Sequence, residues 1–148
     1  MTKKERPIIQ GLGEIALRVK NLKAMQDFYA DVVGLEVMEK GRFSDVVFFR
    51  IADGFGGHTQ VLALFDRSGD PDYRGLDSER TTVDHIAFEI DLEDFAAEKV
   101  RLENVGMQIE TAEHPWVNWR SLYFRDPEGN LVEFVCYDNS VSADVAPK

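Results

Sequence analysis

Two ionisable side chains open two similar segments of the chain. Glu14 lies in GEIALRV at residues 13–19, and His85 lies in DHIAFEI at residues 84–90. The side chains of a strand alternate between its two faces, so each segment has an apolar face and a face that carries the carboxylate or the imidazole. An apolar face suits packing under a helix. The face with Glu14 or His85 is left to line something polar, most simply a shared cavity.

A third group of this kind, Glu133, follows the sequence DPEG at residues 126–129. Proline and glycine stand there where a type I turn requires them, which predicts that the last two strands form an antiparallel hairpin. If Glu14, His85 and Glu133 share a cavity, a cation or a proton must join them, because unpaired buried carboxylates are costly. The residues leave two interpretations open: a metal site, or a metal-free pocket in which carboxylates flank His85.

Each residue taken alone also has an ordinary structural explanation. A histidine at the start of a strand commonly bonds to a neighbouring carboxylate, and Glu14 with Arg18 is a typical sheet-face ion pair. The coincidence of three such positions, rather than any one of them, favours a functional site.

The elements that must position these side chains occur twice. Asn21 and Asp91 are predicted as helix N-caps, and Gly34 and Gly106 as the residues that end the two helices. Three strand-like runs follow in each half, at residues 35–38, 46–51 and 59–65, and again at residues 107–111, 119–124 and 131–137. Each half is therefore predicted to be a βαβββ module, and the fold class to be α+β.

Composition limits the organisation of the chain. With 148 residues, of which 44% are hydrophobic, it can bury one proper core. We expect a single domain over residues 1–148, with module one at about 10–66, a polar linker at 67–82, module two at 83–138 and a tail at 139–148. The single Cys136 excludes an intramolecular disulfide, and its apolar strand predicts a buried, inert thiol.

Charge limits the partners. The formal net charge of −10 argues against nucleic acid and against an anionic membrane surface, which both attract basic proteins. No apolar run reaches the roughly 18 residues of a membrane span, and the N-terminal residues lead into no signal-peptide core. We expect a soluble, cytoplasmic protein whose partner is a small molecule.

These features in this order resemble the vicinal oxygen chelate superfamily, which includes glyoxalase I, methylmalonyl-CoA epimerase, extradiol dioxygenases, and fosfomycin- and bleomycin-resistance proteins. The resemblance covers about residues 10–138. It rests on the repeated modules, the openings EIAL and HIAF, the helix end FYADVVGL, and the closing DPEGNLVE. It implies an α+β fold in which two βαβββ modules form curved mixed sheets around a cavity.

The resemblance also implies a divalent metal ion, whether Mn, Fe, Mg, Zn or Ni, held by Glu14, His85 and Glu133. His85 and Glu133 match the usual ligands of the second module, whereas Glu14 stands where most metal-binding relatives carry another histidine. A carboxylate still binds such metals, at about 2.0–2.2 Å. The fourth family ligand has no secure match: the alignment sets Ala63 opposite Glu133, and a ligand at Gln60 or His58 needs a different register.

The resulting hypothesis is a glyoxalase- or dioxygenase-like, metal-dependent lyase, isomerase or dioxygenase that acts on a small oxygenated organic substrate. Glu133 and Tyr123 are the predicted catalytic residues that move protons. Trp119 and Arg120 are predicted to clamp an aromatic or anionic substrate, with a core or interface role for the indole and an ion pair for the guanidinium as alternatives.

The alternative function is a metal-free ligand-binding or drug-sequestering protein of the bleomycin-resistance type, which keeps the cavity and needs none of the three ligands. In either case we expect a homodimer. Relatives often pair their modules across a two-fold axis, and an exposed sheet edge with Trp116 or Trp119 favours such pairing.

Overall fold

The computed structural model of the chain describes residues 6–38 and 44–141. The chain divides into two compact units, Met1–Gly75 and Leu76–Lys148. The division falls inside the polar linker predicted at residues 67–82, and most of the predicted tail lies outside the described residues. Among the described residues, no helix is long and apolar enough to cross a membrane.

The first unit contains one helical segment and one four-stranded mixed sheet. Its elements are β1 Glu14–Val19, α1 Leu22–Asp27, a π-helical stretch Phe28–Val33, β2 Glu36–Val37, β3 Val46–Asp53 and β4 Thr59–Asp66. The strand order is β1-β4-β3-β2, with β1 parallel to β4 and the other pairs antiparallel. This is the predicted βαβββ module.

The helical segment of the first unit has the predicted bounds but changes its winding. The Asn21 side chain accepts a hydrogen bond from the amide of Ala24 at 3.0 Å, as expected of an N-cap. The last six residues are π-helical, and the segment ends at Gly34 with φ of 91°. The apolar spacing places Met25, Phe28 and Tyr29 in the core under either winding. The sequence pattern therefore predicts the segment but not the transition.

The second unit repeats this arrangement with a longer helix. Its elements are β5 His85–Glu89, α2 Leu92–Asn104, β6 Glu110–His114, β7 Trp119–Arg125 and β8 Leu131–Tyr137. The strand order is β5-β8-β7-β6, the same pattern as in the first unit. The predicted turn at residues 126–129 closes the β7–β8 hairpin, with the Gly129 amide donating to the Asp126 carbonyl at 3.0 Å.

One strand of the second unit begins later than predicted. The strand predicted at residues 107–111 overlaps β6 only at its last two residues, because β6 starts at Glu110. The amide of Met107 donates to the carbonyl of Leu102 at 3.0 Å, and the amide of Gly106 donates to Glu103. The residue that follows Gly106 therefore still belongs to the helix end.

Each sheet has the predicted division into an apolar and a polar face. In β5, Ile86 and Phe88 are buried whereas His85, Ala87 and Glu89 are exposed. The apolar face of the second sheet packs against α2. Its core consists of the following buried residues: Ile86, Phe88, Phe95, Leu102, Leu122, Phe124, Val132 and Phe134. The opposite face is left to carry the polar side chains.

Candidate functional site

The strand register brings the predicted catalytic residues together. Tyr123 of β7 and Ala87 of β5 both pair with Glu133 of β8. His85 pairs with Leu131, which lies two residues before Glu133. Paired residues of adjacent strands point to the same side of a sheet. We call this side the Glu133 face. It carries the side chains of His85, Trp119, Ser121, Tyr123 and Glu133.

His85 lies between two carboxylates. Its Nδ1 is 2.6 Å from Oδ1 of Asp84, and its Nε2 is 3.0 Å from Oε2 of Glu133. Glu133 is only 4% exposed, so its carboxylate depends on partners within the protein. Each ring nitrogen of His85 therefore faces a carboxylate oxygen.

The geometry of this pair suits two ligands of one metal ion. Ligands at about 2.1 Å from a metal and at right angles to each other are about 3.0 Å apart, which is the separation that Nε2 and Oε2 show. A metal-binding histidine also typically donates its other ring N–H to a carboxylate, as Nδ1 does to Asp84. The chemistry of His85 and Glu133 therefore fits a divalent cation.

Among the described residues of the second unit, two of the predicted ligands, His85 and Glu133, lie together. Within residues 6–38 and 44–141, no group of three or more His, Cys, Asp or Glu side chains is placed to hold a metal ion. Glu14, the predicted third ligand, is an exposed residue at the start of β1 in the first unit. Its role as a ligand stays a prediction.

Tyr123 is a neutral phenol held beside Glu133. Burial raises the pKa of Tyr123, the charge of Glu133 and a hydrogen bond with it act in the same direction, and Ser121 acts in the opposite direction. The Tyr123 hydroxyl also lies 3.1 Å from Nε2 of His114, and its ring meets that of His85 edge-on, with centroids 6.1 Å apart. Tyr123 can therefore donate a hydrogen bond or a proton at this face.

The structure separates the two residues predicted to bind substrate. Trp119 lies on the Glu133 face and is 46% exposed, so its indole is available to a ligand. Arg120 is the next residue along β7 and lies on the opposite face, with its Nε 3.0 Å from Asp138 and its Nη1 2.9 Å from Glu113. Its guanidinium also lies 5.9 Å from the ring centroid of Phe95 in α2. These contacts engage Arg120 in holding strands and helix together.

The first unit has no counterpart of Glu133. Ala63 pairs with Ala16 as Glu133 pairs with Ala87, so the register agrees with the alignment that set Ala63 against Glu133. Gln60 lies three residues before Ala63 on β4, and its side chain donates to the Asp53 carbonyl at 3.2 Å. Strand alternation places it on the opposite face. Neither residue provides the fourth family ligand.

Sequence reasoning missed three polar residues of the second unit. Asp84 directly precedes His85 in the sequence. This position could have predicted the contact between them, because the side chains of adjacent residues at a strand end reach each other easily. His114 is found only through its side-chain contact with Tyr123. Ser121 is fully buried, and its Oγ has no hydrogen-bond partner of normal geometry among the described residues. It lies near enough to Tyr123 to stabilise the phenolate.

The fold and these residues agree with one family. Residues 11–134 match the Glyoxalase/Bleomycin resistance protein/Dioxygenase superfamily. The chain belongs to this superfamily, and the resemblance seen in the sequence is confirmed.

Solved structures share the architecture. Lactoylglutathione lyase from Agrobacterium tumefaciens is 29% identical, with a TM-score of 0.59 over 85% of this chain and 92% of that one. A glyoxalase/dioxygenase from Nostoc punctiforme is 23% identical, with a TM-score of 0.69 over 87% and 92%. A mutant of the fosfomycin resistance protein FosX from Listeria monocytogenes, complexed with Mn(II) and dihydroxypropylphosphonic acid, is 24% identical, with a TM-score of 0.64 over 90% and 95%.

Proposed function

We propose that the chain is a metal-dependent enzyme of this superfamily that acts on a small organic molecule with two neighbouring oxygen atoms. One observation carries the proposal: Nε2 of His85 and Oε2 of Glu133 lie 3.0 Å apart, while Asp84 fixes the other ring nitrogen. This arrangement presents an imidazole and a carboxylate to one point in space, which is what a divalent cation requires.

Four residues of the Glu133 face have a role in this proposal. His85 and Glu133 hold the cation, which when bound polarises the substrate oxygens as a Lewis acid. Tyr123 donates a hydrogen bond or a proton to a substrate oxygen next to Glu133. Trp119 packs against the carbon skeleton of the substrate, because its aromatic side chain is exposed on this face. Arg120 has no role in binding, since its donors are engaged on the opposite face.

Metal analysis tests the proposal directly. Protein purified without chelator should contain a divalent metal, and His85→Ala and Glu133→Ala should each weaken metal binding by more than about 10-fold. His58→Ala is the matched control, because His58 is an exposed histidine beside Gly13 in the first unit. Wild-type protein that binds no metal, or His85→Ala protein that keeps its full metal content, would contradict the proposal.

The identity of the metal depends on the third donor. If Glu14 is a ligand, two carboxylates and one imidazole favour hard cations such as Mn²⁺ or Mg²⁺. Glu14→Ala should then weaken the binding of every cation, and Glu14→His should raise the relative affinity for Zn²⁺ or Ni²⁺. Unchanged affinity and selectivity in both variants would remove Glu14 from the ligand set. The Listeria fosfomycin resistance protein is complexed with Mn(II), which supports testing this ion first.

The reaction is tested on substrates that separate the chemistries of the superfamily. The metal-loaded protein is assayed for formation of lactoylglutathione, for consumption of fosfomycin and for ring cleavage of catechol. Activity that disappears in both His85→Ala and Tyr123→Phe, and persists in His58→Ala, supports the proposed roles. Activity that survives complete removal of the metal contradicts them.

A specific observation favours a second candidate, a metal-free ligand-binding protein. Trp119 offers an exposed aromatic surface on the Glu133 face, on which a ligand can pack. In this case Asp84 and Glu133 contact the two ring nitrogens of His85 without a metal ion. Wild-type protein that binds bleomycin without any metal, and loses that binding in Trp119→Ala, would support this candidate.

A further inference from the structure

The contact between His114 and Tyr123 spans an unusual distance along the sheet. In the β6–β7 register, His114 pairs with Trp119, which lies four residues from Tyr123. Four strand residues extend over about 13 Å. The two side chains nevertheless bring Nε2 and the hydroxyl oxygen to 3.1 Å. Both must therefore lean along their strands toward each other, across Ser121.

The direction of the His114–Tyr123 hydrogen bond decides what the phenol can do for a ligand. Tyr123 has one hydroxyl proton, and it lies opposite Glu133 in the β7–β8 register. That proton is available to a ligand oxygen only when Nε2 of His114 is the donor in the contact with the phenol oxygen. A role of Tyr123 toward a ligand therefore requires His114 to donate.

The ring of His114 is itself held from the other side. The indole of Trp116, in the turn between β6 and β7, meets it edge-on with ring centroids 5.1 Å apart. A ring fixed by an aromatic contact and by a hydrogen bond loses little further freedom when a ligand arrives. Such pre-organisation is what a binding site gains from supporting contacts.

We infer that His114 is a positioning residue that holds the Tyr123 hydroxyl beside Glu133, so that this hydroxyl is presented to an oxygen of the bound ligand. The inference rests on the proposed function for the nature of the ligand, but the His114–Tyr123 hydrogen bond does not depend on it. Without His114, Tyr123 keeps its ring and its proton but loses its fixed orientation.

The hydrogen bond is tested without metal or substrate. Protein labelled with ¹⁵N-histidine contains three imidazoles, which are assigned with single His→Gln variants. Nε2 of His114 should carry a proton in the wild-type protein, and its resonance should shift in Tyr123→Phe. Tyr73→Phe is the matched control, because it removes a tyrosine hydroxyl that bonds to the Arg18 carbonyl in the first unit. An unchanged His114 resonance in Tyr123→Phe overturns the inference.

The positioning role is tested with catechol as an oxygen-chelating probe of the Mn²⁺-loaded protein. Loss of one neutral hydrogen bond predicts an affinity about 2- to 12-fold lower in Tyr123→Phe and in His114→Ala. The double variant should be no weaker than Tyr123→Phe alone, because His114 acts through that hydroxyl. His114→Gln, which keeps an N–H donor, should recover most of the affinity.

The outcomes separate this inference from the proposed function. Additive losses in the double variant, or no recovery with glutamine, overturn the positioning role even if the metal binds as proposed. If wild-type protein binds no metal, the proposed function fails, and the wild type and the same four variants are compared with bleomycin as the probe. Equal affinities in all five proteins then overturn the positioning role as well, whatever the histidine resonances show.

Discussion

The contacts of Arg120 give it a structural role, and Arg120→Met tests whether this residue stabilises the fold or binds the ligand. The substitution keeps the length of an apolar stem but removes the guanidinium that bonds to Asp138 and Glu113. The structure predicts a loss of stability without a loss of ligand binding. A substrate-binding arginine predicts the reverse.

The magnitude follows from the surroundings of each contact. The Asp138 side chain is only 8% exposed, and a hydrogen bond between charged groups is worth about 1.5–3 kcal/mol. The amide and hydroxyl of Ser140 still donate to Asp138 after the change, which favours the lower end. The more exposed pair with Glu113 adds about 0.2–1 kcal/mol, and the Phe95 contact a similar amount. We expect the free energy of unfolding to fall by about 2–3 kcal/mol.

Equilibrium unfolding in urea measures this change. Both tryptophans, Trp116 and Trp119, lie in the second unit, so tryptophan fluorescence reports on the unit that Arg120 stabilises. Lys99→Met is the matched control, because its ammonium pairs with the half-exposed Glu103 on the surface of α2 and should cost less than about 0.5 kcal/mol.

A loss below about 0.5 kcal/mol in Arg120→Met, together with weaker metal or ligand binding, would refute the structural role of this residue. Such a result would support the sequence-based prediction that Trp119 and Arg120 bind the substrate together. Stability and affinity are determined on the same protein, so the two results can be compared directly.

Three further predictions concern single side chains. Hydrogen bonds from Ser140 hold the pKa of Asp138 below its ordinary value. The stabilisation that Asp138 contributes is therefore complete above a pH of about 3.9 and is lost as pH falls through the folded-state pKa. Asp138→Asn should flatten the acid unfolding curve followed by circular dichroism. Ser121→Ala should leave stability unchanged or raise it by up to about 1 kcal/mol, because its buried hydroxyl has no hydrogen-bond partner of normal geometry within residues 6–38 and 44–141, and a clear loss in urea unfolding would indicate a bound water. Gly54→Ala should lower the thermal midpoint, since its Cβ would lie 2.4 Å from the His58 carbonyl oxygen, whereas Gly11→Ala, with open space around it, should not.

Much of the site could be predicted because it follows from the register of one hairpin. The loop between the paired residues Arg125 and Leu131 fixes which residues of β7 and β8 face each other, and Tyr123 and Glu133 each lie two residues beyond that pair. The same alternation separates Trp119 from Arg120, which the sequence prediction had grouped as neighbours in the chain. Adjacent strand residues point to opposite faces, so that grouping was avoidable.

Other features lay beyond the sequence for physical reasons. The hydrogen bond between His114 and Tyr123 depends on rotamers in which both side chains lean along their strands. The register alone predicts Trp119 as the neighbour of His114. The change from α- to π-helical winding at Phe28 leaves the apolar stripe intact, so periodicity carries no signal of it. Tertiary packing decides both features.

The comparison of the two modules explains why their shared fold does not imply shared chemistry. Both sheets need an apolar face to pack under a helix, and this requirement preserves the same alternation in β1 and β5. The other face is under no such constraint: Phe48 and Ala63 pair in the first unit where Tyr123 and Glu133 pair in the second. A phenylalanine and an alanine can neither bind a cation nor move a proton. At these matched positions the proton-carrying pair therefore lies in the second unit.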